Sequence, residues 1–91
     1  MSSQVILPEN LTIHHITENF SDLKQTVESE NDDMIFDATA VESIDTSGLQ
    51  MLLAFVEDLK ARDVTFSWLN PTTQLKETAA NIGLANHLQL H

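Results

Sequence analysis

Thr46 and Ser47 place two hydroxyls side by side, with Asp45 just before them and Gly48-Leu49 just after. An apolar segment precedes this block and an amphipathic one follows, so the hydroxyls fall where a strand hands over to a helix. A helix begins with unpaired N–H groups and a partial positive charge, which favour an anion such as a phosphoryl group. The chemistry on offer is a modifiable hydroxyl at a helix N-terminus. The same residues also suit a plain helix cap, in which Thr46 or Ser47 accepts a first-turn N–H for about 1 kcal/mol. Asp45 has parallel readings. It orients the Thr46 hydroxyl or helps a kinase place magnesium, or it is itself the cap.

The neighbours carry weaker signals. Asp37 ends a compact apolar run, Met34-Ile35-Phe36, and is placed to hydrogen-bond loop backbone. Gly48 has no Cβ and lets another backbone approach, which suits packing on a sheet or contact with a partner. Met51 and Phe55 are four apart and offset from the leucine stripe, so they form either an exposed apolar strip for a partner or part of the core. Trp68 shares a strand face with Val64 and Phe66 and is expected in the core. His14 and His15 point to opposite faces of a predicted strand, and His87 and His91 lie close to the end of the sequence. Neither pair has metal-ligand spacing, so no metal or other cofactor is expected. Ser47, a histidine and Asp37 could be drawn as a hydrolytic triad. The Gly-x-Ser-x-Gly turn is missing, however, and no glycine-rich phosphate loop occurs, so a non-enzyme is expected.

The elements that must hold these residues follow from periodicity. Val5–Leu7 reads as a short strand ended by Pro8, and residues 11–16 alternate well enough for another. A helix is expected from Asn19 or Ser21 to about Ser29, with Phe20, Leu23 and Val27 as its stripe. Glu28 to Asp33 reads as an acidic turn, and Met34–Phe36 as a buried central strand. Ala38–Ile44 reads as a connection. The next helix spans about Ser47 to Ala61, with Leu49, Leu52, Leu53, Val56 and Leu59 as its core stripe. Val64–Leu69 is a strand. Asn70 or Thr72 caps a last helix, which carries Leu75, Ala79 and Ile82 and ends at Gly83. Leu88–Leu90 forms a final strand or a docked tail. Strands alternating with helices predict an α/β domain, with helices largely on one face of a small sheet.

The chain has 91 residues, enough for one domain (1–91) and a modest core. No cysteine is present, which excludes disulfides and thiolate zinc sites. Fourteen acids against four Lys and Arg give a net charge of −10. Nucleic acid and anionic membrane surfaces are therefore disfavoured, whereas a basic protein partner would be attracted. No signal-peptide pattern opens the chain and no segment approaches the ~20 apolar residues of a membrane span, so a soluble cytoplasmic protein without membrane insertion is expected.

The stretch from Met34 to Leu49, with Asp37 closing the strand and Asp45-Thr46-Ser47-Gly48-Leu49 opening the helix, resembles STAS domains. The likeness is to free-standing bacterial anti-sigma-factor antagonists and runs over residues 11–90. It implies a fold of about four strands in a mixed sheet, with helices packed mainly on one face. It also implies a protein-interaction switch. The hydroxyl after the motif Asp, here Thr46, would be phosphorylated by a serine/threonine kinase that is itself an anti-sigma factor. Ser47 matches a second hydroxyl position. Together with the residue reading above, the expected partner-binding residues are Asp45, Thr46, Ser47, Gly48, Met51 and Phe55, and Asp37 is expected to support the site. Phosphorylation would release the complex, and a metal-dependent phosphatase would reset it. Two departures stand out. Thr17-Glu18-Asn19-Phe20 replaces the Gly-Glu-Leu-Asp common after the early strand, and the acceptor is Thr rather than Ser. The Asp-Thr-Gly-Gly version of the motif belongs to STAS subunits of lipid-transport ATPases. The alternative implied function is thus a constitutive accessory subunit of such a transporter, or of a chemotaxis or signalling complex, without phosphorylation.

Overall fold

A computed structural model describes residues 2–29 and 32–90. Met34 and Phe36 are fully buried while Ile35 between them is half-buried, the alternation of a strand with one face in the core. This is β3 (Asp33–Asp37), the middle strand of a three-stranded sheet. It is flanked by β1 (Ser2–Ile6) and β5 (Thr65–Leu69). Both pairings are parallel, with Ile6, Asp37 and Leu69 in one row across the sheet. A second small pair joins β2 (Asn10–Leu11) and β4 (Ser43–Ile44), again parallel. The expected mixed sheet is therefore parallel in every described pairing. Each return to the sheet passes through a helix, and that connection brings the next strand in parallel.

Among the described residues four helices lie on the inner face of the sheet: α1 (Ile13–Ser29), α2 (Thr46–Ala61), α3 (Thr73–Asn81) and α4 (Ala85–Leu88). Leu49, Leu52, Val56 and Leu59 of α2 are buried at three- and four-residue steps and face the sheet. Phe36 stacks on Trp68 with ring centroids 4.8 Å apart and meets Phe66 edge-on at 6.2 Å. Such aromatic pairs add about 0.5–1.5 kcal/mol beyond their burial. Trp68 Nε1 donates to the Leu88 carbonyl at 2.8 Å, which ties α4 to the end of β5. Leu88–Leu90 is thus a docked helical tail rather than a strand, with Leu88 and Leu90 buried.

Three helices end alike. Asp63, Gly83 and Gln89 take positive φ, and the following residue returns its N–H to the last turn: Val64 to Leu59, Leu84 to Ala79, Leu90 to Ala85. The left-handed residue turns the chain and the next apolar side chain seals the end. Asp and Gln occupy this conformation at a cost that Gly83 avoids. At the start of α3 the cap is Thr72, whose Oγ1 accepts the Leu75 N–H at 3.2 Å.

Two expectations are corrected. Residues 11–16 are not one strand: pairing stops at Leu11 and α1 begins at Ile13, well before Asn19. The Ala38–Ile44 connection also contains a strand, β4. In the acidic turn, Glu30 and Asn31 lie outside the described residues.

Candidate functional site

The site grows from the junction of β4 and α2. Asp45 follows β4 directly, and its N–H continues the pairing by donating to the Leu11 carbonyl at 3.2 Å. Its backbone is extended, so its side chain turns back over the first turn of α2. Oδ1 accepts the Gly48 N–H at 3.0 Å, which makes Asp45 the N-cap of α2. Oδ2 accepts the N–H of Ile13, the first residue of α1, also at 3.0 Å. One carboxylate therefore caps two helices. The Ile13 N–H chiefly, with those of Gly48, Ser47 and Asp45 itself, holds this carboxyl below its ordinary value, against the opposing effect of partial burial.

Gly48 explains how the two helix starts come so close. A Cβ on Gly48 would lie 2.0 Å from the Leu11 carbonyl oxygen. The glycine is buried, and its lack of a side chain lets α2 lie directly on the backbone of β2. Its role in the fold is this close packing.

Thr46 and Ser47 are the first two residues of α2; Thr46 is exposed and Ser47 half-buried. The N-cap is neither of them, since Asp45 fills that place. Beside them stands Ile13, 62% exposed although large and apolar. The sequence reading placed Ile13 inside a strand and missed it. Thr12, a residue type that often precedes a helix, was the available signal. Its Oγ1 is hydrogen-bonded to His15 Nδ1 at 2.9 Å.

Asp37 anchors a separate network. Oδ1 accepts both the Oγ1–H and the N–H of Thr39, at 2.6 and 3.0 Å, and Oδ2 accepts Gln4 Nε2 at 3.1 Å. These bonds, Thr39's hydroxyl first, hold its carboxyl below the ordinary value. Asn70 Nδ2 reaches Thr39 Oγ1 at 3.4 Å, so the ends of β1, β3 and β5 are stitched together through Asp37 and Thr39. Asp37 shares none of its hydrogen-bond partners with Asp45.

Met51 and Phe55 form no exposed strip. Both are buried, and Phe55 meets Phe20 of α1 with centroids 6.0 Å apart. Because α2 packs against α1 as well as against the sheet, it buries a second stripe beside its leucines. Buried in this way, these two residues offer no exposed surface to a partner. Among the described residues no group of three or more His, Asp or Glu could hold a metal, and His91 lies outside them.

The STAS-domain family model matches residues 4–91, nearly the whole chain. The chain is a STAS domain. No curated protein and no solved structure matches it. STAS domains are generally regulatory or accessory modules rather than enzymes, and in this one the motif Asp-Thr-Ser-Gly-Leu opens α2 as described above. No helix of this STAS domain, among the described residues, is long and apolar enough to cross a membrane.

Proposed function

We propose that this STAS domain is an anti-sigma-factor antagonist, a cytoplasmic switch that binds a serine/threonine kinase or anti-sigma factor and is released by phosphorylation of Thr46. The observation that carries the reading is the exposed Thr46 hydroxyl on the first turn of α2, next to the carboxylate that caps both α1 and α2. Ser47 is half-buried and is the second candidate. Unmodified, Thr46 and the exposed apolar side chain of Ile13, the first residues of α2 and α1, would meet the partner. The net charge of −10 draws a basic partner surface towards it.

A phosphate on Thr46 brings nearly two negative charges. The α2 N–H groups favour it by about 1 kcal/mol. Asp45, fixed beside it, opposes it, and so does any acidic group on the partner. A repulsion of about 2.7 kcal/mol across a desolvated contact weakens binding ~100-fold. No large change of fold is needed. Binding of the kinase by the unmodified form would free a sigma factor and so regulate transcription.

The test is the intact mass of the protein from its native cells, combined with capture of partners by wild type, Thr46→Ala and Thr46→Glu. The expected result is one phosphate, absent from Thr46→Ala, and a kinase or anti-sigma factor held by wild type and lost or weakened in Thr46→Glu. Only unmodified protein, with a transport ATPase or signalling-array component captured, would replace the switch by the constitutive accessory subunit. Phosphate retained in Thr46→Ala and lost in Ser47→Ala would move the acceptor to Ser47.

A further inference from the structure

β5 is an edge strand: it pairs with β3 on one side and with no described strand on the other. The Leu69 carbonyl accepts the Ala38 N–H, so the backbone groups of Leu69 point to β3. By the alternation of a strand, those of Thr65 and Ser67 point the same way, and those of Phe66 and Trp68 point out of the sheet. No described group bonds to these outward N–H and C=O groups. Such an edge is a template for another strand, and it is usually blunted by a charge, a proline or a bulge. β5 reads Thr-Phe-Ser-Trp-Leu and has none of these, and it pairs with β3 in unbroken register.

The side chains single out this edge. Phe66 and Trp68 lie on the helix side of the sheet, yet they are only half-buried. Two hollows flank them, one against Lys60, Val64 and Gln89 and the other against Pro71 and Leu90. The opposite edge, β1, is built differently. Its outward groups belong to Gln4 and Ile6, whose exposed side chains lie on the solvent side, so a strand added there would bury little.

We infer that β5 pairs antiparallel with β5 of a second copy of this chain, joining two sheets into one. A two-fold axis through Ser67 makes the pair self-complementary. Phe66 then stands opposite Trp68 of the second copy, and the two exchange their N–H and C=O groups. Both aromatic pairs fall on the helix side, over the hollows, and cross-strand aromatic pairs of this kind stabilise neighbouring strands. β5 contains no acid although each copy carries −10, so two copies meet along it without setting carboxylate against carboxylate. A single strand pair buries little area, so the association is weak and reversible. It uses no group of the Thr46 site and stands or falls apart from the phosphoswitch.

The test is a dilution series of the ¹⁵N-labelled protein up to about 1 mM, with sedimentation equilibrium over the same range. Salt of ~0.15 M screens acids remote from the strand pair. The mass is expected to climb towards that of a dimer. Exchange of the Phe66 and Trp68 amides should slow at least about threefold with concentration, while Ser67 and Leu69, already bonded to β3, stay protected throughout. Ser67 is exposed, so Ser67→Lys and Ser67→Glu leave the fold intact and set like charges face to face at the axis. Each variant alone should stay monomeric, and an equal mixture of the two should associate. A wild-type monomer at every concentration would overturn the inference and leave the edge to a strand of another protein. So would concentration-dependent changes at β1 or the helices in place of β5, Ser67 variants that associate as wild type does, or a mixture that stays monomeric.

Discussion

The carboxylate of Asp45 accepts the backbone N–H of Ile13 at 3.0 Å, across 32 positions of chain. Through its other oxygen it accepts the Gly48 N–H, so the starts of α1 and α2 depend on one side chain. Asp45→Ala should therefore cost more than an ordinary cap. An N-cap is typically worth ~1 kcal/mol, and a second N–H left without its acceptor adds about as much. Urea unfolding should give a loss of about 2 kcal/mol. Amide exchange should speed up at Ile13 and Gly48 together, whereas loss of a simple α2 cap would free only the latter.

The same contact predicts a pH dependence. The folded Asp45 carboxyl lies below its ordinary value of 3.8, so between the two values the unfolded chain binds the extra proton. Stability then rises with pH through that window. The contribution is complete above 3.8 and lost as pH falls through the folded value. Unfolding curves of wild type and Asp45→Asn should be furthest apart above pH 3.8 and converge below it. A gap that stays constant into strong acid would deny the carboxylate this role.

Gly48→Ala sets two effects against each other. Alanine in a helix gains up to ~1 kcal/mol over glycine. The added Cβ, however, would meet the Leu11 carbonyl oxygen at 2.0 Å, and backbone must move to admit it. Overpacking of this kind costs typically 1–3 kcal/mol, so a net loss is expected. A thermal melt decides it: an unchanged or raised midpoint would mean that α2 does not rest on β2.

Leu88→Ala tests the docked tail. Leu88 is fully buried and its carbonyl accepts Trp68 Nε1, so a loss of about 2–4 kcal/mol is expected. Trp68 is the only tryptophan, which makes its emission a local reporter. The emission should shift to longer wavelength as the indole gains water. Lost stability with unchanged emission would mean that the tail leaves Trp68 covered by other groups.

Much of this protein was legible in its sequence because the deciding interactions are local. The leucine spacing of α2, the alternation around Phe36, Thr72 before α3 and Gly83 after it each act within a few residues. The block Asp45–Leu49 marked the strand-to-helix junction for the same reason, and with it the family. Tertiary structure decided what depended on distant chain. α1 begins at Ile13 because Asp45 supplies the acceptor there, 32 positions away, while the alternation of residues 11–16 suggested a strand. Gly48 is needed where it is because Leu11 lies beneath it, which no local pattern records. Met51 and Phe55 are inside because α1 packs over them, so their burial was a property of a neighbouring element and not of their own helix. Periodicity fixes which residues share a face, since it follows from backbone geometry. What covers that face is fixed only when the elements meet.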